Sequence, residues 1–255
     1  MTIVAVAGDV CTTTTVALAS AWPTSDDVVL VEADPSGGDL AAWFDMPVTP
    51  SLSTVVTRVT DGAWPDIERF TRLADAGIRL IPGPARAGEA GQAVGESARS
   101  LVATLASLRS PVTIADTGRL QRPPAANPFV GSAAVNVVVH RQSPQSSRAA
   151  AVRLQRLSEQ LEAFASTPSA LIVAVVGAAP FDLGEIESFL ADSVGVNATI
   201  GLPVDELAAA VYAGRTGVSE RRLTRLPLAR AARDLASIAE RSVNDAADGL
   251  WRAAR

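Results

Sequence analysis

Short runs of β-branched and aliphatic residues alternate along this chain with longer stretches whose apolar positions recur every three to four residues. The short runs predict strands at 2–7, 28–31, 78–81, 112–115, 134–139, 170–176 and 198–200. The longer stretches predict helices at about 12–22, 38–44, 52–59, 64–75, 93–108, 146–164, 183–194 and 204–213, with a last one at about 228–254. The strand runs are apolar throughout rather than alternating, as they are when both faces of a sheet are covered. The helix at 146–164 shows the complementary pattern. Val152, Leu154, Leu157, Leu161 and Phe164 make one apolar stripe, with arginines between them on a wet face. Breakers fall between elements, at Pro50, Pro82-Gly83-Pro84 and Pro123-Pro124. The expected fold is α/β, a mostly parallel sheet with helices on both faces.

Length and charge narrow this picture. A chain of 255 residues buries roughly 70–75% of its unfolded surface, so residues 1–255 are expected to form one domain. Net charge is −5 and arginines do not cluster in runs, which leaves no clear nucleic-acid signal. Cys11 is the one cysteine, so no internal disulfide forms, and a reducing cytoplasmic setting is expected. No apolar stretch reaches the roughly 18 residues of a membrane-spanning helix. No basic region precedes the first apolar run, so it does not read as a signal peptide.

The chemistry concentrates at the start. The first strand runs into Gly8-Asp9-Val10-Cys11, then Thr12, Thr13, Thr14 and Thr15, then an apolar helix. Strand, tight turn and threonine-rich helix start are the layout of a P-loop, in which backbone N–H groups and a helix N-terminus hold phosphate oxygens. The motif G-x-x-x-x-G-K-[ST] is nevertheless absent, because the chain has no lysine and all 22 basic residues are arginine.

The second strand ends in Glu32-Ala33-Asp34-Pro35-Ser36-Gly37-Gly38. This resembles the D-x-D-P-x-G-G stretch of the ParA/MinD-type P-loop ATPases, the deviant Walker A group. Further landmarks follow in that family's order. Val112-Thr113-Ile114-Ala115-Asp116-Thr117-Gly118 is similar to its Walker B strand and aspartate. Val137-Val138-Val139 with Pro144 and a long helix is similar to its next strand and helix. Ile200-Gly201-Leu202-Pro203-Val204-Asp205, with Ala210 and Gly214, is similar to its late "iPyD…A…G" segment. The resemblance runs from Met1 to about Gly217.

The resemblance implies roles position by position. The family's K-G-G-x-G-K-T-T aligns with Ala7-Gly8-Asp9-Val10-Cys11-Thr12-Thr13-Thr14. Ala7 replaces the signature lysine that crosses the family's dimer, and Thr12 replaces the phosphate-binding lysine. Asp9 and Cys11 replace glycines. Gly8 and the magnesium-ligand threonine, Thr13, are kept. Glu32, Asp34 and Asp116 stand at the family's acidic positions as catalytic candidates, with Thr13, Asp34 and Asp116 as the magnesium set should nucleotide bind. Arg215 falls where the family approaches the base, and Gly177-Ala178-Ala179 stands where it often carries an adenine-reading asparagine.

Losing a charge-assisted contact of about 1.5–3 kcal/mol weakens triphosphate binding by about one to two decades. The expectation is therefore a degenerate, pseudo-ATPase member with either no cofactor or weakly bound ATP or ADP with magnesium. It would serve localisation, assembly or regulation, as the damaged-loop TadZ/CpaE relatives suggest by analogy. The alternative is a slow or unconventional magnesium-dependent ATPase. Expected partners are proteins: a second copy of the chain or a lysine-bearing paralogue. His140, the single histidine, has no ligand motif beside it, and Cys11 has no His or Asn partner for nucleophilic chemistry. Gly249-Leu250-Trp251-Arg252 faintly resembles the family's terminal membrane anchor. The helix around it mixes Arg233 and Arg241 with Asp234, Glu240, Asp245 and Asp248, whereas an interfacial helix is mainly basic. Membrane contact is not expected; packing on the body or on a partner is.

Overall fold

The computed structural model describes residues 2–23, 28–59, 63–74, 77–108, 110–121, 123–142, 146–164, 167–191 and 195–253, without the side chains of 247–253. Its strands are β1 (Ile3–Gly8), β2 (Val28–Glu32), β3 (Arg72–Leu73), β4 (Arg79–Ile81), β5 (Val112–Asp116), β6 (Val135–Arg141), β7 (Ala170–Val176) and β8 (Ala198–Leu202). They form one sheet in the order β3-β4-β2-β5-β1-β6-β7-β8. Every pairing is parallel except β3 with β4.

The helices are α1 (Cys11–Ser20), α2 (Leu40–Trp43), α3 (Leu52–Arg58), α4 (Trp64–Glu68), α5 (Ala87–Val94), α6 (Arg99–Ser107), α7 (Pro128–Gly131), α8 (Ser147–Leu161), α9 (Leu183–Ala191), α10 (Glu206–Tyr212), α11 (Glu220–Leu223) and α12 (Pro227–Ala253). Period-two burial sorts the strands between two cores. Ile3, Ala5, Val29 and Val31 pack with α3, α6 and α8 on one face. Val4, Val6, Val28 and Leu30 pack with α1, α10 and α12 on the other. Both faces of the sheet are thus covered, which is why the strands read as unbroken apolar runs.

Two predicted helices are corrected. The stretch 64–75 stops at Glu68, and Arg72–Leu73 instead forms the antiparallel edge strand. There Ala74 N–H donates to the Ile78 carbonyl at 2.9 Å, closing a turn that helical periodicity cannot signal. The stretch 93–108 is not one helix. A helix ends at Val94, Gly95 breaks it, and a short 3-10 turn leads into α6. Two short helices, α7 and α11, were not predicted; Asn127 caps the first by accepting Phe129 N–H at 3.0 Å.

The long terminal helix matches expectation and docks. Leu228, Ala232, Leu235, Ala236, Ala239 and Val243 are buried against α1 and the sheet. Its start is tied to α10 through one carboxylate. Asp205 Oδ1 accepts Ala208 N–H at 3.0 Å and Oδ2 accepts Leu228 N–H at 3.3 Å. Asp205→Ala should therefore cost about 1 kcal/mol by urea unfolding, slightly more than a single cap, because two helix starts lose their acceptor. An unchanged midpoint would show that water caps both equally well. No helix among the described residues is long and apolar enough to cross a membrane. The side chains of the Gly249–Arg252 motif and Pro144 lie outside the described residues.

Candidate functional site at the carboxyl edge of the sheet

β1 lies between β5 and β6, and α1 leaves it on the face opposite α8. Connections diverge to the two faces there, opening a crevice at the carboxyl ends of the strands, where open parallel sheets bind ligands. The sequence sends most of its candidate residues to this edge.

The loop from β1 to α1 is pinned on both sides. Gly8 N–H donates to the Gly118 carbonyl and Asp9 N–H to the Val139 carbonyl, each at 2.9 Å. Gly8 has φ +117°, and a Cβ there would lie 2.2 Å from the Val139 oxygen, so no other residue fits. Val10 takes the left-handed conformation, φ 45° and ψ 35°, just ahead of α1. A β-branched residue held there stores about 1–3 kcal/mol. Val10→Gly should raise stability by about 1 kcal/mol in thermal unfolding after the entropic cost of glycine is subtracted. A destabilised Gly variant would show that Val10 packing outweighs the strain.

The two side chains standing where the family has glycines are both engaged. Asp9 Oδ2 accepts Arg141 N–H at 3.1 Å and lies 3.5 Å from the Arg153 guanidinium. The loop therefore presents a carboxylate beside the helix start that would receive phosphate. Cys11 is buried, and its Sγ lies 2.9 Å from Asp116 Oδ1 and 3.0 Å from the Val6 carbonyl, its one proton facing two acceptors. Burial first, and the Asp116 charge second, push the thiol well above its ordinary range, so it stays protonated.

The acidic residues separate into different roles. Asp116, 1% exposed, accepts Cys11 Sγ–H and Gly118 N–H (3.1 Å) on Oδ1, while among the described residues Oδ2 has no hydrogen-bond partner. Burial raises its pKa against the Cys11 hydrogen bond that favours the ionised form. Glu32 is spent on the backbone: Oε1 accepts Asp39 N–H (2.7 Å) and Leu40 N–H (2.9 Å), and Oε2 accepts Gly83 N–H (2.8 Å). A Cβ at Gly38 would meet Oε2 at 2.4 Å, so the D-P-x-G-G turn folds tightly over this carboxylate. Asp34 is half-buried. Its Oδ1 accepts Ser36 N–H at 2.7 Å and its carboxyl rests on Gly118, whose Cβ would come within 2.2 Å of it.

The structure thus gathers Gly8, Asp9, Val10, Cys11, Thr12, Thr13, Asp34 and Asp116 at one edge. Thr14 Oγ1 is turned back onto the Val10 carbonyl at 3.2 Å. Thr13 and Thr14 face a cavity of about 200 Å³ that runs past Arg141 to the ends of β7 and β8, where Val176, Leu202 and Asp205 close it. Arg215 is exposed and lines neither this cavity nor the one across the loop. Arg141 was missed by sequence reasoning, since nothing marks a strand-terminal arginine until the sheet is assembled. Gln142 was missed too; its amide ties the Gly177 and Phe181 carbonyls at 2.9 and 2.8 Å, fixing the loop after β7. Among the described residues no three His, Cys, Asp or Glu side chains converge as metal ligands.

Comparison of the whole architecture decides the fold. A ParA family ATPase from Chlorobium tepidum TLS superposes with a TM-score of 0.68 at 18% identity, over 92% of this chain and 95% of that one. The fold is that of the ParA/MinD P-loop ATPases. A chain of the MinC:MinD cell division protein complex of Aquifex aeolicus gives a TM-score of 0.61 at 16% identity, over 92% of this chain and 93% of that one. Cobyrinic acid a,c-diamide synthase from Mycobacterium smegmatis, with bound ADP and magnesium, gives 0.55 at 20% identity, over 99% and 96%. No protein-family model matches the sequence, and no curated protein matches it. Three-dimensional likeness thus persists where sequence likeness has faded.

Proposed function

We propose that this chain is a degenerate ParA/MinD-like protein that has lost efficient ATP hydrolysis and works as a binding module in localisation, assembly or regulation. The observation that carries this reading is the Cys11–Asp116 contact of 2.9 Å. Where the family's loop glycine leaves room for phosphate, a buried thiol is bonded to the carboxylate in the Walker B position. Three further features point the same way. Glu32 is committed to three backbone N–H groups, Asp9 sets negative charge at the loop, and no lysine is available to either loop position. One preorganised charge-stabilising donor is worth about 10²–10³ in rate, so losing two removes the usual means of phosphoryl transfer. Its place would be the cytoplasm, and its partners proteins: a second copy of itself or a lysine-bearing paralogue.

The second reading, a slow magnesium-dependent nucleotide-binding protein, is favoured by the unpartnered Asp116 Oδ2 and by Thr13 facing a cavity. A magnesium ion would offset the charge of Asp34 and Asp116, the second of which senses both the first and Thr12. Thr13 instead faces the cavity toward β7 and β8, whose lining holds neither carboxylate. The fit to a triphosphate is poor, because Asp9 and the Cys11 side chain occupy ground that phosphate needs. Isothermal titration with ATP and ADP, with and without magnesium, separates the readings. Silence up to millimolar ligand is the expected result. Micromolar, magnesium-dependent binding with turnover abolished by Asp34→Ala would overturn the first reading and establish the second.

A further inference from the structure

Across the β1–α1 loop from Thr13 lies a second and larger cavity, of about 420 Å³, between the end of β6, the loop after β5 and α8. We propose that it binds a compact phosphate-class polyanion, held by Arg119, Arg153 and Arg156. Its volume falls within the usual range for small-molecule sites, roughly 300–1,000 Å³. Val138, Val139 and Leu157 give it a buried apolar floor, and the arginines stand at its rim. Arg153 and Arg156 are three residues apart on α8, so they project from the same side of the helix. Arg119, one residue past Gly118, faces them from the loop after β5.

The charge balance identifies the ligand class. Three guanidiniums line the cavity with one carboxylate, Asp9, which lies 3.5 Å from Arg153. Arg119 and Arg156 make no ion pair among the described residues. Two unpaired cations beside a third are a favourable field for a multiply charged anion, and guanidinium forks match phosphate oxygens in bidentate geometry. His140 forms part of the wall; burial first, and Arg153 after the opposing pull of Asp9, lower its pKa, so it is neutral and leaves the positive field to the arginines. The cavity meets the one beside Thr13 only at Val10. Gly8, Asp9 and Val10 form its loop-side wall, so it borders the degenerate loop on the side away from Thr13. Pyrophosphate binding without magnesium that is lost with the arginines and kept in Thr13→Ala is distinguishable from triphosphate binding in the old loop.

The test exploits the single histidine. The imidazole of His140 is recorded by NMR while inorganic pyrophosphate is added to the whole chain, without magnesium. The His140 signals should move in a saturable manner, and its pKa should rise, since a bound anion favours the imidazolium. Arg119→Ala with Arg156→Ala should weaken binding by about 100-fold, tenfold for each charge-assisted contact removed. Both residues are exposed, so the fold should survive; thermal unfolding checks this. Thr13→Ala, across the loop, should leave pyrophosphate affinity unchanged. Unmoved His140 signals, or binding that withstands the arginine substitutions, would overturn the proposal. So would binding that is lost in Thr13→Ala, which would assign the anion to the old loop.

Discussion

Replacing Cys11 by glycine and Thr12 by lysine together should tighten magnesium-dependent ATP binding by about 10- to 100-fold, one restored charge-assisted contact of about 1.5–3 kcal/mol. The backbone for it exists. Gly8 is held at φ +117° between its own hydrogen bond to the Gly118 carbonyl and that of Asp9 to the Val139 carbonyl, and α1 follows, so loop and helix dipole are in place. What the loop lacks is charge and space. Cys11→Gly removes the side chain that bonds Asp116 and frees that carboxylate, at about 1 kcal/mol of helix propensity. Thr12→Lys supplies the cation, and Asp9→Gly as a third step withdraws the opposing carboxylate. Calorimetry checks the gain, with AMP as the control that lacks the outer phosphates. No gain from the correctly folded triple variant would show that the edge has closed in shape as well as chemistry, and the degenerate reading would rest on geometry rather than on lysine.

The fold was legible in the sequence because its signals are redundant. Seven of the eight strands are apolar runs whose ends lie close to the predicted ones, and the eighth, Arg72–Leu73, is two residues long and fixed only by its partner β4. The break at Gly95 was visible as a residue but overridden by the apolar spacing on either side. The site was legible as a place and much less as an arrangement. Glu32, Asp34 and Asp116 are equivalent in sequence, each a carboxylate closing a strand. They differ in the structure because of what reaches them: the N–H groups of Asp39 and Leu40, just past the D-P-x-G-G turn, and of Gly83 for Glu32, a buried thiol for Asp116, a glycine surface for Asp34. Those contacts join residues 51 and 105 positions apart, beyond the reach of local pattern. The arginine cavity was half visible, since Arg153 and Arg156 sit on a helix already recognised as amphipathic. Arg119 joins them only when β5 and β6 flank β1.

Glu32 should make this protein lose stability as pH rises from about 4.5 to 7, against the usual behaviour of a carboxylate. Its carboxyl is 2% exposed, and burial pushes its pKa up to about 7 despite three backbone N–H donors that favour the ionised form. The unfolded chain releases this proton near 4.5, the ordinary value. Between the two values the folded state holds a proton that the unfolded state has lost, so the contribution is complete below 4.5 and gone above 7. A span of about 2.5 units is worth about 3 kcal/mol. Asp116, raised by the same burial, acts in the same direction, and His140, lowered by burial, acts in the opposite one. Glu32→Gln isolates this contribution: in urea unfolding at intervals from about pH 4.5 to 7.5 the parent's advantage at the acid end should shrink and then reverse, because the roughly 3 kcal/mol that the parent loses exceeds the variant's constant deficit. The variant carries a constant loss of about 1–2 kcal/mol, because its amide turns a donor toward Gly83 N–H where Oε2 accepted. A difference that does not change with pH would mean that the three donors hold Glu32 ionised throughout. The D-P-x-G-G turn would then be a carboxylate cradle in its own right, keeping at the strand end a charge that burial alone would neutralise.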